Sequence, residues 1–263
     1  MPIITLMTDF GLKDGNVGVM KGVILSICPQ AQIVDLSHLI APQNIREAAL
    51  ILARSQPYFP AGSIHVVVVD PGVGTPRRPL AARVDSHYFV LPDNGILTQV
   101  LEKAERQRKE IELVHLDKPQ YWLEQVSHVF HGRDIFAPVA AHLASGVSLT
   151  EMGTPLDDPL RLQLPRPQPT DRGYVGEVIH IDHFGNIALN IYQEHLNGVQ
   201  NLEVDLKSVK IRGLVKTFGE APDGELIALY GSTGNLIVSV VNGSAAQRLD
   251  ARIGDRAEVT ILD

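Results

Sequence analysis

Cysteine is nearly absent. Cys28 is the only one in 263 residues, so no internal disulfide framework is possible and a reducing compartment fits. An excess of positive charge is missing too: the net charge is -7, acids and bases are mixed along the chain, and no basic block occurs. Nucleic-acid binding therefore has no electrostatic footprint. No apolar run reaches the about 20 residues of a membrane span. The opening "MPIITLMTDFGLKDG" has no basic n-region and meets an acid at Asp9, so a secretory signal is not expected. These absences lead to the expectation of a soluble, cytoplasmic protein with no membrane or nucleic-acid partner.

Several chemical signatures are missing as well. The "GVG" at 72–74 lacks the third glycine of a dinucleotide loop, because Arg77 holds that place, and no GxxxxGK[ST] occurs, so phosphate cradling is weakly supported. No GxSxG elbow marks a nucleophilic serine. His128, His131 and Asp134 recur at three-residue intervals, but Gly132 interrupts the helix that would align them, and His180 and His183 fall on opposite faces of a strand. No metal is expected. No repeat or low-complexity segment is present.

What the chain does contain is globular: 44% hydrophobic and 20% charged residues, enough for one large domain or two ordinary ones. The first half alternates strand-like runs ("IITLMT", "QIVDLS", "SIHVVVVD") with helical spacing over 15–28, where Val19, Val23, Ile24 and Ile27 recur. Cys28 reads as a core residue there. Asn44 with Glu47 three residues on resembles a capping box opening a helix over 44–59. "PLAARVDSHYFVLP" predicts a hairpin turning at Asp85-Ser86, and helices are expected around 96–109 and 133–145. This pattern predicts an α/β domain over 1–164 with a largely parallel sheet flanked by helices. A Pro-rich stretch over 165–172 reads as a linker. Short β-type runs separated by Gly, Asn and Asp turns follow, predicting a smaller, barrel-like all-β domain over 173–263.

In a parallel sheet, ligands bind beyond the C-terminal strand ends. Asp9, Asp35 and Asp70 lie at or near such ends. Asp35 has no turn glycines beside it and reads as structural. Asp9, with Asp14 on the same loop, and Asp70 each precede a Gly-containing loop that lets backbone approach a ligand. Asp70 is followed by Arg77 and Arg78, and His131 is available to accept or relay a proton. An arginine beside a carboxylate keeps it ionised and oriented. Either a water-activating Asp-Arg-His set or a plain salt bridge at a loop base is consistent with these residues.

The motifs "MTDFGLKDG", "VVVVDPGVGTPRRP", "LPDNGIL", "FHGRDIFAPVAAHLASG", "IDHFGNIALNI" and "GSTGNL…VNGSAA" follow in order. Together they resemble the S-adenosyl-L-methionine (SAM) hydroxide adenosyltransferases, or SAM hydrolases, which are relatives of the fluorinase and chlorinase. The resemblance covers essentially the whole chain. It implies a homotrimer, with SAM held between one subunit's N-terminal domain and its neighbour's C-terminal domain. It implies no cofactor; SAM is substrate, and adenosine is a candidate to co-purify. Asp9 then matches the acid on the ribose hydroxyls, and Asp14 and Asp182 match acids near the methionine ammonium. Phe184 and Asn186 match the adenine stack and hydrogen bond, Ser232 a contact to the methionine carboxylate, and Asn242 and Gly243 the adenine edge. Asp70, Arg77 and His131 match the hydrolase triad, with Asp70 and His131 expected to share the proton-accepting role.

Three departures from the halogenases bear on the reaction. Thr233 stands where they carry an arginine after the serine, so backbone N–H groups of "GSTG" are the alternative carboxylate clamp. The fluorinase has a tyrosine at the place of Asp70, and its halide-pocket serine falls at Gly132. Its inserted loop has no counterpart here. A carboxylate beside the attack point disfavours a halide ion and favours water. The expected activity is hydrolysis of SAM to adenosine and L-methionine. A halogenase and a non-catalytic adenosine or SAM binder are the alternatives.

Overall fold

The computed structural model describes residues 1–262 and divides into two compact units, Met1–Leu162 and Gln163 onward. In the first, strands β1 (Ile3–Thr8), β2 (Gln32–Ser37), β3 (Ile64–Val68), β4 (Pro79–Val84), β5 (His87–Pro92), β6 (Ile111–His115) and β7 (Thr154–Pro155) form one sheet. Its order is β2-β1-β3-β5-β4-β6-β7. The four strands from β2 to β5 are mutually parallel, and the β4, β6 and β7 side is antiparallel. Helices α1 (Asn16–Ile27), α2 (Ile45–Ser55), α3 (Thr98–Arg106) and α4 (Ala137–Ala144) cover it.

The run of four valines shows how the layers form. Successive strand residues point to opposite faces. Val66 and Val68 join the core with Met20, Ile24 and Val139 of α1 and α4. Val67 and Val69 join the core with Ala48, Leu52 and Leu101 of α2 and α3. All four are at most 3% exposed, at roughly 2 kcal/mol of stabilisation per buried side chain, and so β3 joins the two layers. By the same alternation Asp70 falls on the α1/α4 side.

Local expectations hold at most elements. The hairpin turns at Asp85, whose φ is +54°, with Val84 opposite His87. Asn44 caps α2 by accepting from Glu47 N at 3.1 Å, but Glu47 turns its own carboxylate to Ala41 N and the Asn44 amide, so only half of a capping box forms. Cys28 is fully buried at the end of α1. On α1 itself, Val17, Met20 and Ile24 face the core while Val19 is 46% exposed; the apolar positions outnumber one helical face, so spacing alone did not select the buried set.

The second unit is antiparallel throughout. Strands β8 (Gln168–Thr170), β9 (Gly173–Ile181), β10 (Ile187–Tyr192), β11 (Leu202–Leu206), β12 (Val209–Arg212), β13 (Leu226–Tyr230), β14 (Asn235–Val240) and β15 (Arg256–Ile261) run in the order β12-β11-β15-β9-β10-β14-β13, with β8 on β9. Val215 N donates to Ala228 O at 3.0 Å, which ties the chain after β12 to β13 and nearly closes the barrel. A short helix, α5 (Ala245–Leu249), plugs one side. The Pro-rich stretch read as a linker contributes β8; its Pro169 sits on an edge strand, where its missing N–H costs no ladder bond. Among the described residues no helix is long and apolar enough to cross a membrane.

Candidate active site

Beyond the C-terminal ends of β1 and β3 lies a cavity of about 270 Å³ lined by Asp9, Phe10, Gln43, Val68, Asp70 and the segment Val129–Gly132, among others. Three loops build it. The first follows β1 and carries Asp9, whose Oδ2 accepts from Gln43 N at 2.8 Å. The second leaves β3 through Asp70 and turns at Gly74, where φ is +77° and an added Cβ would stand 2.3 Å from His128 O. Only glycine fits that contact, and it holds the turn against the third loop, which carries His131. This third loop is tied by Asp134: fully buried, its carboxylate accepts from Ser127 N and Oγ, both at 2.8 Å, and from Arg133 Nε at 2.5 Å. Asp134, one of the residues weighed as a metal ligand, is thus engaged as a loop brace. A π-helical turn, Gly132–Phe136, follows and leads into α4. A Cβ on Gly132 would meet Val68, Met20 and Phe130 at 3.2–3.3 Å, so the glycine lets this turn sit close to the end of β3.

Of the two adjacent arginines, Arg77 turns back to Asp70. Its Nε lies 2.9 and 3.0 Å from Asp70 Oδ1 and Oδ2, and Nη2 also donates to Oδ2. The second Nη2 hydrogen goes to His131 Nδ1 at 2.9 Å. The guanidinium lies over the Phe136 ring, 5.2 Å from its centroid. Arg78 departs to Asp93 and Asp158, at 2.7 Å each, and has no part in the cavity.

Arginine has only donors. His131 Nδ1 must therefore accept, and the proton of the neutral ring resides on Nε2. Burial, and then the Arg77 charge, push His131 below the usual imidazole range, against the raising effect of Asp70 and Asp134. The neutral ring and the Arg77 contact are mutually consistent. The Asp70 and Arg77 side chains are 5% and 8% exposed, so the pair is held away from bulk water. Arg77 Nη1 is buried with no partner among the described residues.

Asp14 is exposed on the loop after Asp9 and does not line the cavity. The other expected residues lie in the second unit. Asp182 Oδ1 accepts from Phe184 N and Asn186 N, both at 2.9 Å, and Oδ2 from the Asn186 amide at 2.7 Å. Its carboxylate shapes the 182–186 turn, and the Asn186 backbone carbonyl accepts from Asp182 N at 3.0 Å. Gly185 has φ of +83°, and a Cβ there would stand 2.0 Å from Ser244 Oγ; Ala246 N also donates to Gly185 O. This close approach packs the 182–186 turn against Ser244 and Ala246, just after Asn242 and Gly243 in the chain. Phe184 is 73% exposed, its ring uncommitted to any core. Asn242, with φ of +53°, donates to Asp223 at 2.8 Å. Ser232 is exposed on the β13–β14 turn, where the Thr233 hydroxyl donates to Asn235 Oδ1 at 2.5 Å.

Sequence reading missed Gln43. Its φ is +64°, and its backbone amide fixes the Asp9 carboxylate. Glycine or asparagine advertises such a conformation; glutamine does not.

Comparison with known proteins agrees along the whole length. Residues 4–153 match the model of the SAM hydroxide adenosyltransferase N-terminal domain, and residues 176–258 that of the C-terminal domain. An (R)-S-adenosyl-L-methionine hydrolase of Salinispora tropica is 40% identical, with 98% of each chain covered. A fluorinase of Nocardia brasiliensis is 29% identical over 99% of this chain and 97% of its own. A crystal structure of an uncharacterized conserved protein from Thermotoga maritima superposes with a TM-score of 0.91 at 36% identity, covering 98% of this chain and 99% of that one. The chain belongs to the SAM hydroxide adenosyltransferase family.

Proposed function

We propose that this protein hydrolyses SAM to adenosine and L-methionine. Water oxygen attacks ribose C5′, the C5′–S bond breaks, and its electron pair stays on sulfur, which leaves as the neutral thioether of methionine. A neutral leaving group needs no general acid, and no tetrahedral oxyanion forms. The demands are an in-line water, a proton acceptor and tight positioning. The observation that carries the reading is the single Arg77 guanidinium that clamps Asp70 and also donates to His131. It supports a division of labour rather than the shared role expected from sequence. His131 presents an N–H at Nε2 and so orients the water through its oxygen. Asp70, which keeps lone pairs beyond those facing Arg77, takes the water proton and releases it to solvent once the products have left. The names of the full-length relatives support the same reaction.

Asp9 is proposed to hold the ribose hydroxyls with the oxygen not engaged by Gln43, and Phe184 and Asn186 to hold adenine. With the Thr233 hydroxyl directed at Asn235, backbone N–H groups of the 231–234 turn are the proposed methionine carboxylate clamp beside Ser232. A homotrimer that joins one subunit's Asp9, Asp70 and His131 loops to a neighbour's 182–186 and 242–243 loops is the proposed assembly. Exposed Leu12, Leu39 and Val129 on the loops around the cavity support a covered surface there, and light scattering at three chain masses is the expected result.

The test is chromatography of SAM incubated with the protein, with and without chloride, beside Asp70→Ala. Adenosine and methionine are expected with the intact protein alone. A 5′-chloro-5′-deoxyadenosine peak makes it a halogenase; unreacted SAM, with binding still seen by calorimetry, makes it a binding module.

A further inference from the structure

Asp35 shares the C-terminal edge of the sheet with Asp9 and Asp70 but lies outside the cavity, and the reaction gives it no role. It heads a directed chain of polar groups. Lys21 Nζ on α1 donates to Asp35 Oδ2 at 2.6 Å. Asp35 Oδ1 lies 3.1 Å from His38 Nε2, without the alignment of a full hydrogen bond. His38 Nδ1 is 3.0 Å from Thr8 Oγ1, and Phe10 N donates to that same Thr8 oxygen at 3.2 Å. Thr8 is fully buried and His38 is 4% exposed.

The direction of the protons follows from the two ends. An anionic carboxylate beside Nε2 favours the tautomer with its proton there. Nδ1 is then bare, so the Thr8 hydroxyl donates to it and offers its lone pairs to Phe10 N–H. The chain thus ends on the backbone immediately after Asp9. His38 also holds the loop by its carbonyl, which accepts from Gly11 N at 2.8 Å. Residues 8, 10 and 11 are fastened, and Gln43 N takes one oxygen of Asp9. Asp9 and Phe10 of this loop both line the cavity, and Asp9 brings the charged group.

We infer that the Asp35–His38–Thr8 chain is a positioning device for the Asp9 loop and sets the protein's affinity for the nucleoside part of its substrate. This rests on the proposed role of Asp9 at the ribose. Misdirecting a carboxylate that accepts two hydroxyl bonds weakens binding of every ligand that carries the ribose, and leaves the Asp70–Arg77–His131 group as it was. A chain that served folding alone would lower thermal stability without touching binding.

The experiment compares Thr8→Val, which removes the hydroxyl at equal shape, with Thr8→Ser, which keeps it. Adenosine affinity by calorimetry, KM and kcat for SAM, and melting temperature are measured for both. For Thr8→Val the expected result is a rise of about tenfold in adenosine Kd and in KM, with kcat within about threefold of wild type; Thr8→Ser stays near wild type. Should Thr8→Val not fold, His38→Asn, whose side-chain oxygen can still accept from Thr8, is expected to bind about as wild type and His38→Leu about tenfold more weakly. Unchanged Kd and KM in Thr8→Val with a lowered melting temperature overturn the inference, as does a Thr8→Ser variant as weak as Thr8→Val. Wild-type protein that binds adenosine but leaves SAM intact sinks the hydrolase reading alone, and the Thr8→Val Kd then decides the inference. Wild-type protein that binds no adenosine overturns both.

Discussion

Asp70→Asn keeps the shape of the side chain and removes its charge. The Arg77 fork makes the consequence calculable. Nε and Nη2 both point at carboxylate oxygens. An asparagine amide turns its NH2 toward one of these donors, so at least one hydrogen bond becomes a donor–donor contact. The guanidinium, 8% exposed, is left without its counter-charge. Breaking one side of a buried ion pair costs about 3–5 kcal/mol. At roughly 2–4 °C per kcal/mol for a unit of this size, melting falls by on the order of 10 °C. Turnover falls as well, by about 10²–10⁴ for loss of the proposed general base. The two losses are separable. Asp70→Leu with Arg77→Met removes both charges together, and such apolar replacement is often neutral or stabilising. The double variant is expected to recover most of the melting temperature and none of the activity. Scanning calorimetry and a SAM turnover assay on the same samples check both. A double variant that is stable and active refutes the reasoning, because the chemistry then lies elsewhere. An Asp70→Asn that melts with wild type refutes the energetic part.

Three further outcomes follow from particular contacts. Gly74→Ala places a Cβ against the His128 carbonyl at a positive φ, so turnover drops at least tenfold with a few kcal/mol of stability, read by kcat and urea midpoint. Phe184→Ala leaves the fold of its own subunit intact, since the ring is 73% exposed there, but weakens adenosine binding about tenfold by calorimetry through loss of the proposed stack on the base. Burial, and then the neighbouring His87, hold His65 at a pKa of about 3. The unfolded chain binds this proton from the ordinary imidazole value downward while the folded chain does not. Stability is therefore lost as pH falls from about 6.5 toward 3, by roughly 1.4 kcal/mol per unit at most. His65→Phe, flanked by Phe59 and Phe89, flattens that slope in urea titrations across this range; an unchanged slope assigns the acid sensitivity to other groups.

Much of this was legible in the sequence because the signals were local or periodic. A buried strand closed by Asp70 and followed by a glycine turn needs only the strand period and the conformational freedom of glycine. The change of texture after the first domain is visible as turn spacing. The proline count of the stretch after Leu162 did not reveal β8, because an edge strand tolerates proline as readily as a linker does. The choice of Arg77 over Arg78 came from the family resemblance and not from the local sequence: neighbours on one turn diverge by geometry, and the destination of Arg78 depends on Asp93 and on Asp158, 80 residues away. The role of Asp35 was not legible, because its partners Lys21, His38 and Thr8 come from three separate elements. Long-range polar pairing leaves no spacing rule behind it.

The preference for water over halide changes its physical basis once the geometry is known. From sequence, an anionic Asp70 repels a halide; two like charges at 4 Å in a partly buried setting cost about 4 kcal/mol. The structure pairs Asp70 with Arg77 one to one, and the pair's net charge is near zero. Simple repulsion is largely cancelled. What survives is directional. The Arg77 fork occupies one side of the carboxylate, and the remaining lone pairs can be met only by a donor. Water brings two O–H groups; a halide brings none. Chloride beside Asp70 would leave acceptor facing acceptor, whereas in the proposed arrangement water between Asp70 and the His131 N–H satisfies both. Selectivity of this kind does not depend on long-range fields, so salt does not screen it away. Adenosine accordingly remains the only nucleoside product in molar chloride, and a chlorinated product that grows with chloride concentration would show that charge, not hydrogen-bond direction, governs the choice.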